Sequence, residues 1–165
     1  MGVFDDMPYG IKEIITNRMI AAAGVSPAGA LIPLLDTAAI TGIWGNMLYE
    51  IAKYHDVTLT GEECTKIITA TGSSILGYLG GSKVLNWLLN LVPGVGTLGA
   101  MAGNVVFNGY YTFAIGTAFH QMLEDYDING KTIYEIAKIL VHLFVPIPSV
   151  GDLREIYQII KDHIA

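Results

Sequence analysis

The chain has 165 residues, of which 52% are hydrophobic and only 15% charged, with 19 glycines and a formal net charge of −6. That length suits one domain with a sizeable core and is too short for two ordinary ones. Nine Lys and Arg, scattered singly among fifteen Asp and Glu, exclude a nucleic-acid surface, which needs a row of cations against its phosphates.

The charged fraction falls well below the roughly 25% of a typical soluble domain, and the mean hydropathy is +0.49. The start, "MGVFDDMPYG", lacks the basic run and apolar stretch of a secretory signal, and Asp6 stands where a myristoylation motif asks for Ser or Thr. The first predicted helix follows: Ile11, Ile14, Ile15, Met19 and Ala22 recur at helical spacing, with Lys12, Glu13, Thr16, Asn17 and Arg18 around the other side.

From Met19 to Tyr49 the only formally charged side chain is Asp36. An ionised carboxylate in apolar surroundings is costly unless stabilised. Following Pro33, Asp36 is placed in a helix's first turn, where free N–H groups and the helix dipole favour an anion. A partner-binding or ion-path role is the alternative. The next stripe is Ile40, Ile43, Trp44, Met47, Leu48 and Ile51. Cys64 stands alone, so no disulfide forms within the chain, as befits a reducing compartment.

From Ile67 to Leu123 the sole formal charge is Lys83. Ser73, Gly77 and Gly81 repeat every four residues, as do Gly99 and Gly103, a spacing that lets a neighbouring backbone come close. Residues 97–123 predict a charge-free helix of roughly 40 Å at 1.5 Å per residue, longer than the approximately 30 Å hydrocarbon layer of a membrane. Two further stripes close the chain: Ile133, Ile136, Ala137, Leu140, Leu143 and Phe144, then Leu153, Ile156, Tyr157, Ile160 and Ile164.

"LIPLLDTAAITG", "LVPGVGTLGAMAG" and "FVPIPSVGDLREI" each put a proline after an apolar pair, which marks a corner before a new helix. "YEIAKYHDVTLTGEECTKII" and "HQMLEDYDINGKTIYEIAKIL" share a pattern in which a helix ends, passes Asp-Val or Asp-Ile, and restarts. No strand alternation is present. The expected fold is all-α: stacked helical hairpins with Pro/Gly corners, about seven helices, one domain over 1–165 and a hydrophobic hairpin core at about 67–123.

"DYDINGKTIYEI" places Asp125, Asp127, Asn129 and Gly130 where a calcium loop wants them, but its twelfth position is Ile136 and Glu135 stands one place short. The competing reading is a turn at Asn129-Gly130 followed by a capping box of Thr132 and Glu135, repeated at Thr60 and Glu63. "NGKT" fails as a nucleotide-binding loop because Asp125 occupies the first glycine position. His55, His120, His142 and His163 are not spaced to share a metal on one helical face, and His120 and Glu124 read as a local pair. No catalytic residue, metal or cofactor is expected.

Pro33 and Asp36 leading a helix, then "MLYEIAKYHDVTLTGEE", "LVPGVGTLGAMAGN" and a long small-residue helix, together resemble the hydrophobic helical domain attached to some bacterial Era-like GTPases, over about residues 28–124. The resemblance implies a membrane-associated helical module beside a nucleotide-hydrolysing domain. The chain carries no G domain, so a GTPase would be a separate partner. The leading expectation is a non-enzymatic, membrane-associated hairpin module that contacts membrane lipid, oligomerises or docks a partner, at a bacterial inner-membrane or cytoplasmic membrane surface. The alternatives are a water-soluble, cytoplasmic homo-oligomer with hydrophobic helices buried between subunits, and a small pore with Asp36 as its charged element.

Overall fold

The computed structural model describes residues 2–24, 37–79, 100–144 and 149–164, and within these the regular structure is helix throughout. Six helices are described: α1 Tyr9–Gly24, α2 Thr37–Tyr54, α3 Gly61–Leu79, α4 Ala100–Asp125, α5 Ile133–Leu143 and α6 Val150–Ile164. The all-α expectation holds, and the three proline corners fall outside the described residues, between described helices.

The stripes read from the sequence become the inward faces. Ile11, Ile15, Met19 and Ala22 of α1 are buried, as are Ile40, Trp44, Met47, Leu48 and Ile51 of α2. So are Ile136, Ala137 and Leu140 of α5 and Leu153, Ile156 and Ile160 of α6. Each stripe recurs at three- and four-residue steps because 3.6 residues per turn bring those positions onto one face.

These faces close around α4, which packs against α1, α2, α5 and α6, while α3 lies outside and covers α2 and α5. Val106, Tyr110, Tyr111, Ala114, Ile115, Ala118, Phe119 and Met122 of α4 are all buried. Two glycines make the tight packing possible. A Cβ at Gly116 would lie 2.8 Å from Ile15 Cγ1 of α1 and 3.1 Å from Met47 Sδ of α2, and one at Gly109 would run into Ile160 Cδ1 of α6. Glycine weakens an isolated helix by about 1 kcal/mol relative to Ala, so the bundle around α4, rather than intrinsic propensity, sustains it.

This corrects the expectation of a spanning helix at residues 97–123. Among the described residues no helix is long and apolar enough to cross a membrane. Asn108, Thr112, Thr117, His120 and Gln121 interrupt the apolar run of α4, and Asn108, Thr112 and His120 are buried against protein. The length was read correctly; the medium around the helix is other helices.

Directions follow from contacts. Tyr54, at the end of α2, meets Gly10 at the start of α1, so these helices are antiparallel. Trp44 with Thr112 and His55 with His120 pair α2 and α4 in the same direction. Turns of six and seven residues, 55–60 and 126–132, fold α3 back on α2 and α5 back on α4. The ends of α1 and α3 and the starts of α2 and α4 therefore lie at one pole, and the two short turns at the other.

Candidate functional site

The short-turn pole holds the chemistry that the sequence left scattered. At its centre the Nε2 of His55 and the Nδ1 of His120 stand 2.8 Å apart, one donating and the other accepting. The rings are tilted by 37° with centroids 5.0 Å apart. His120 Nε2 lies 3.5 Å from Glu124 Oε1, one turn further along α4, the local pairing expected from the four-residue spacing. Tyr54 adds an edge contact to His55 at 5.5 Å between centroids.

A helix ending places His55. Its N–H is shared between the carbonyls of Ile51 and Ala52, Asp56 N–H donates to Lys53 C=O, and Val57 N–H donates to Ala52 C=O. Asp56 takes φ +56°. This is a Schellman ending with Asp at the left-handed position that glycine usually fills. His55 is thus fixed at the rim of the bundle, half-buried, while His120 projects from the buried face of α4 and is 6% exposed.

Burial pushes the pKa of His55 below its ordinary value; the neighbouring His120 lowers it further, and Glu124 partly opposes both. The sequence did not reveal the pair because 65 residues separate its members. The available signal was the pseudo-repeat, whose two helix ends carry one histidine each.

The loop "DYDINGKT" is organised as a turn. Asp127 Oδ1 accepts the N–H of Asn129 at 3.0 Å, and Gly130 has φ +76°. Glu135 is occupied by capping: its Oε2 accepts Thr132 N–H at 2.7 Å while its own N–H donates to Thr132 Oγ1 at 3.2 Å. These bonds with Thr132 hold the exposed Glu135 carboxyl below its ordinary range. Thr60 and Glu63 form the same box at 2.7 and 3.1 Å. Ser149 and Asp152 form a third, which sequence reading missed. Asp125 ends α4, exposed. Among the described residues no group of three His, Cys, Asp or Glu side chains is arranged to hold a metal.

Of the other singled-out positions, Asp36, Gly81 and Gly99 lie outside the described residues. Ser73 and Gly77 fall on α3 and Gly103 on α4, but what their faces meet is likewise outside the described residues. The close helix approaches that are described use Gly45, Gly109 and Gly116 instead. Cys64 is buried, and burial, then the charge of Glu63, pushes its thiol up to about 11. At neutral pH that leaves almost no thiolate, the reactive form.

Away from the pole, Trp44 Nε1–H donates to Thr112 Oγ1 at 2.8 Å, and the Thr112 hydroxyl donates to the Asn108 carbonyl at 2.6 Å. This buried chain fixes α2 against α4 and satisfies the indole. On the rim, Arg18 binds one oxygen of Glu50 through Nη2 and Nε at 2.8 and 3.1 Å, joining α1 to α2.

The fold and these features define an all-α bundle built around one enclosed helix. No family model matches the chain, and no solved structure matches it. Over 129 residues it is 26% identical to Magnetosome membrane protein 22 of Magnetospirillum gryphiswaldense, a match covering 76% of this chain and 64% of that protein. The chain therefore spans a little under two thirds of the length of this relative. The similarity is to a membrane protein, and no GTPase enters it.

Proposed function

We propose that the chain is a non-enzymatic, membrane-associated helical module that meets lipid with one pole of its bundle and presents the other to the aqueous side. The observation that carries this reading is which helix ends the uncharged sequence joins. Between α1 and α2 the chain reads "VSPAGALIPLL" before Asp36, and between α3 and α4 it reads "GGSKVLNWLLNLVPGVGTLG" with Lys83 as its only charge. Both stretches join helix ends at the same pole. Apolar surface favours leaving water by about 25 cal/mol per Å², and a membrane interface offers that without a spanning helix. The similarity to a magnetosome membrane protein supports the same reading.

Flotation with phospholipid vesicles tests it. The full-length chain is expected to rise with the vesicles and to resist extraction by high salt, since the attraction is apolar. Protein that stays at the bottom of the gradient and elutes as a monomer in plain buffer would overturn the proposal.

A second reading is a homo-oligomeric scaffold in which copies of the chain cover these stretches. The lack of a membrane-crossing helix among the described residues favours it. A defined oligomer that forms without detergent and ignores vesicles would select it. A separate GTPase as partner rests on the family resemblance alone. Co-purification of such an enzyme with the tagged chain, dependent on the bound nucleotide, is the result that would support it.

A further inference from the structure

We propose that the contact of His55 with His120 is a pH-sensitive joint between α2 and α4, closed while the facing ring nitrogens hold one proton between them and opened when both carry one. Two imidazole nitrogens at 2.8 Å form a hydrogen bond only if one is a donor and the other an acceptor. With both rings neutral, one N–H donates to the bare nitrogen opposite. With one ring protonated the same geometry holds and the bond becomes charge-assisted, with Glu124 beside His120 Nε2 at 3.5 Å to balance the charge. With both rings protonated, two N–H groups and two positive charges would face each other, and the rings must part.

The surroundings limit what else titrates there. From α4, His120 and Glu124 act on His55; from α2, Tyr54 presents its ring. Among the described residues no charged group of α1, α3, α5 or α6 is a cause of the His55 shift. Parting of the rings would release the Schellman end of α2 from α4 at the short-turn pole, away from the two uncharged connections. The inference does not depend on the membrane reading.

The sign of the pH effect follows from the lowered pKa of His55. The unfolded chain protonates this ring near the ordinary value of 6.5, whereas the bundle resists it. The stability from a closed joint is complete above that value. It is lost as the pH falls from there through the folded-state pKa.

Histidine-labelled protein followed by NMR, with urea midpoints measured at about pH 7.5 and about pH 5, tests the joint. In His120→Gln the titration midpoint of His55 is expected to rise, because a neighbour that lowers it is gone. The wild type is expected to lose stability on acidification, His55→Gln to lose less, and the double variant to lose no more than either single change. An unmoved His55 midpoint in His120→Gln, or the same acid loss in His55→Gln as in the wild type, would overturn the proposal. Should His120→Gln fail to fold, the half-buried His55→Gln decides alone through its acid loss.

Discussion

Helices α2 and α4 run side by side in the same direction, and each opens a hairpin closed by a Thr-Glu capping box, yet they occupy opposite environments. Among the described residues nothing lies within 4 Å of where a Cβ of Gly42 on α2 would sit, whereas Gly116 on α4 lies in the crossing of Ile15 and Met47. α2 carries its apolar residues as one stripe, and α4 is buried on several sides at once. One residue type therefore has opposite meanings on neighbouring helices: a helix weakness at Gly42, a condition of assembly at Gly116.

The largest effect expected to break this contrast comes from Gly116→Leu. The new side chain has to push α1 and α2 off α4, at a cost of about 3 kcal/mol, read as a lowered urea midpoint. If Gly116→Leu were as stable as the wild type, α4 would not be the enclosed helix. Next is Thr112→Val, which keeps the shape but leaves the Trp44 indole N–H buried without an acceptor. A loss of about 2 kcal/mol is expected, with indole emission shifted if water enters the seam.

Smaller effects sharpen the comparison between the two hairpins. Thr60→Ala and Thr132→Ala each remove a capping box and are expected to cost about 1 kcal/mol; clearly unequal losses would mean that the two turns support their hairpins differently. The smallest change has the opposite sign. Gly42→Ala should raise stability by about half to one kcal/mol, since the methyl group meets none of the described residues, and a loss instead would place a further neighbour over α2. In the same comparison, calorimetric titration of the 125–135 loop with calcium is expected to give no binding heat in the wild type and none in Glu135→Gln.

What the sequence disclosed depended on whether an element had two different faces. α1, α2, α5 and α6 bury one side only, so their spacing announced both the helix and the buried residues, Ile15, Met47, Leu140 and Ile156 among them. The capping boxes at Thr60 and Thr132 were equally legible, because all their partners lie within three residues. Among the described residues of α4 only Gln121, Glu124 and Asp125, at its end, are exposed, so its length was readable and its surroundings were not; lipid and four packed helices ask for almost the same residues. The histidine pair was hidden for another reason. Its geometry is created by the parallel alignment of α2 and α4, a relation between distant segments that local spacing does not contain.

The position of α4 also bears on how the molecule is made. Ile15 rests against Gly116, so α1 leaves the ribosome well before the helix that completes its seat. At translation rates of about 5–20 residues per second, the oily face of α1 waits on the order of five to twenty seconds without its native cover. During that interval the nascent chain needs a chaperone or a nearby bilayer as a temporary companion, and nascent chains truncated before α4 should therefore remain bound to one or the other.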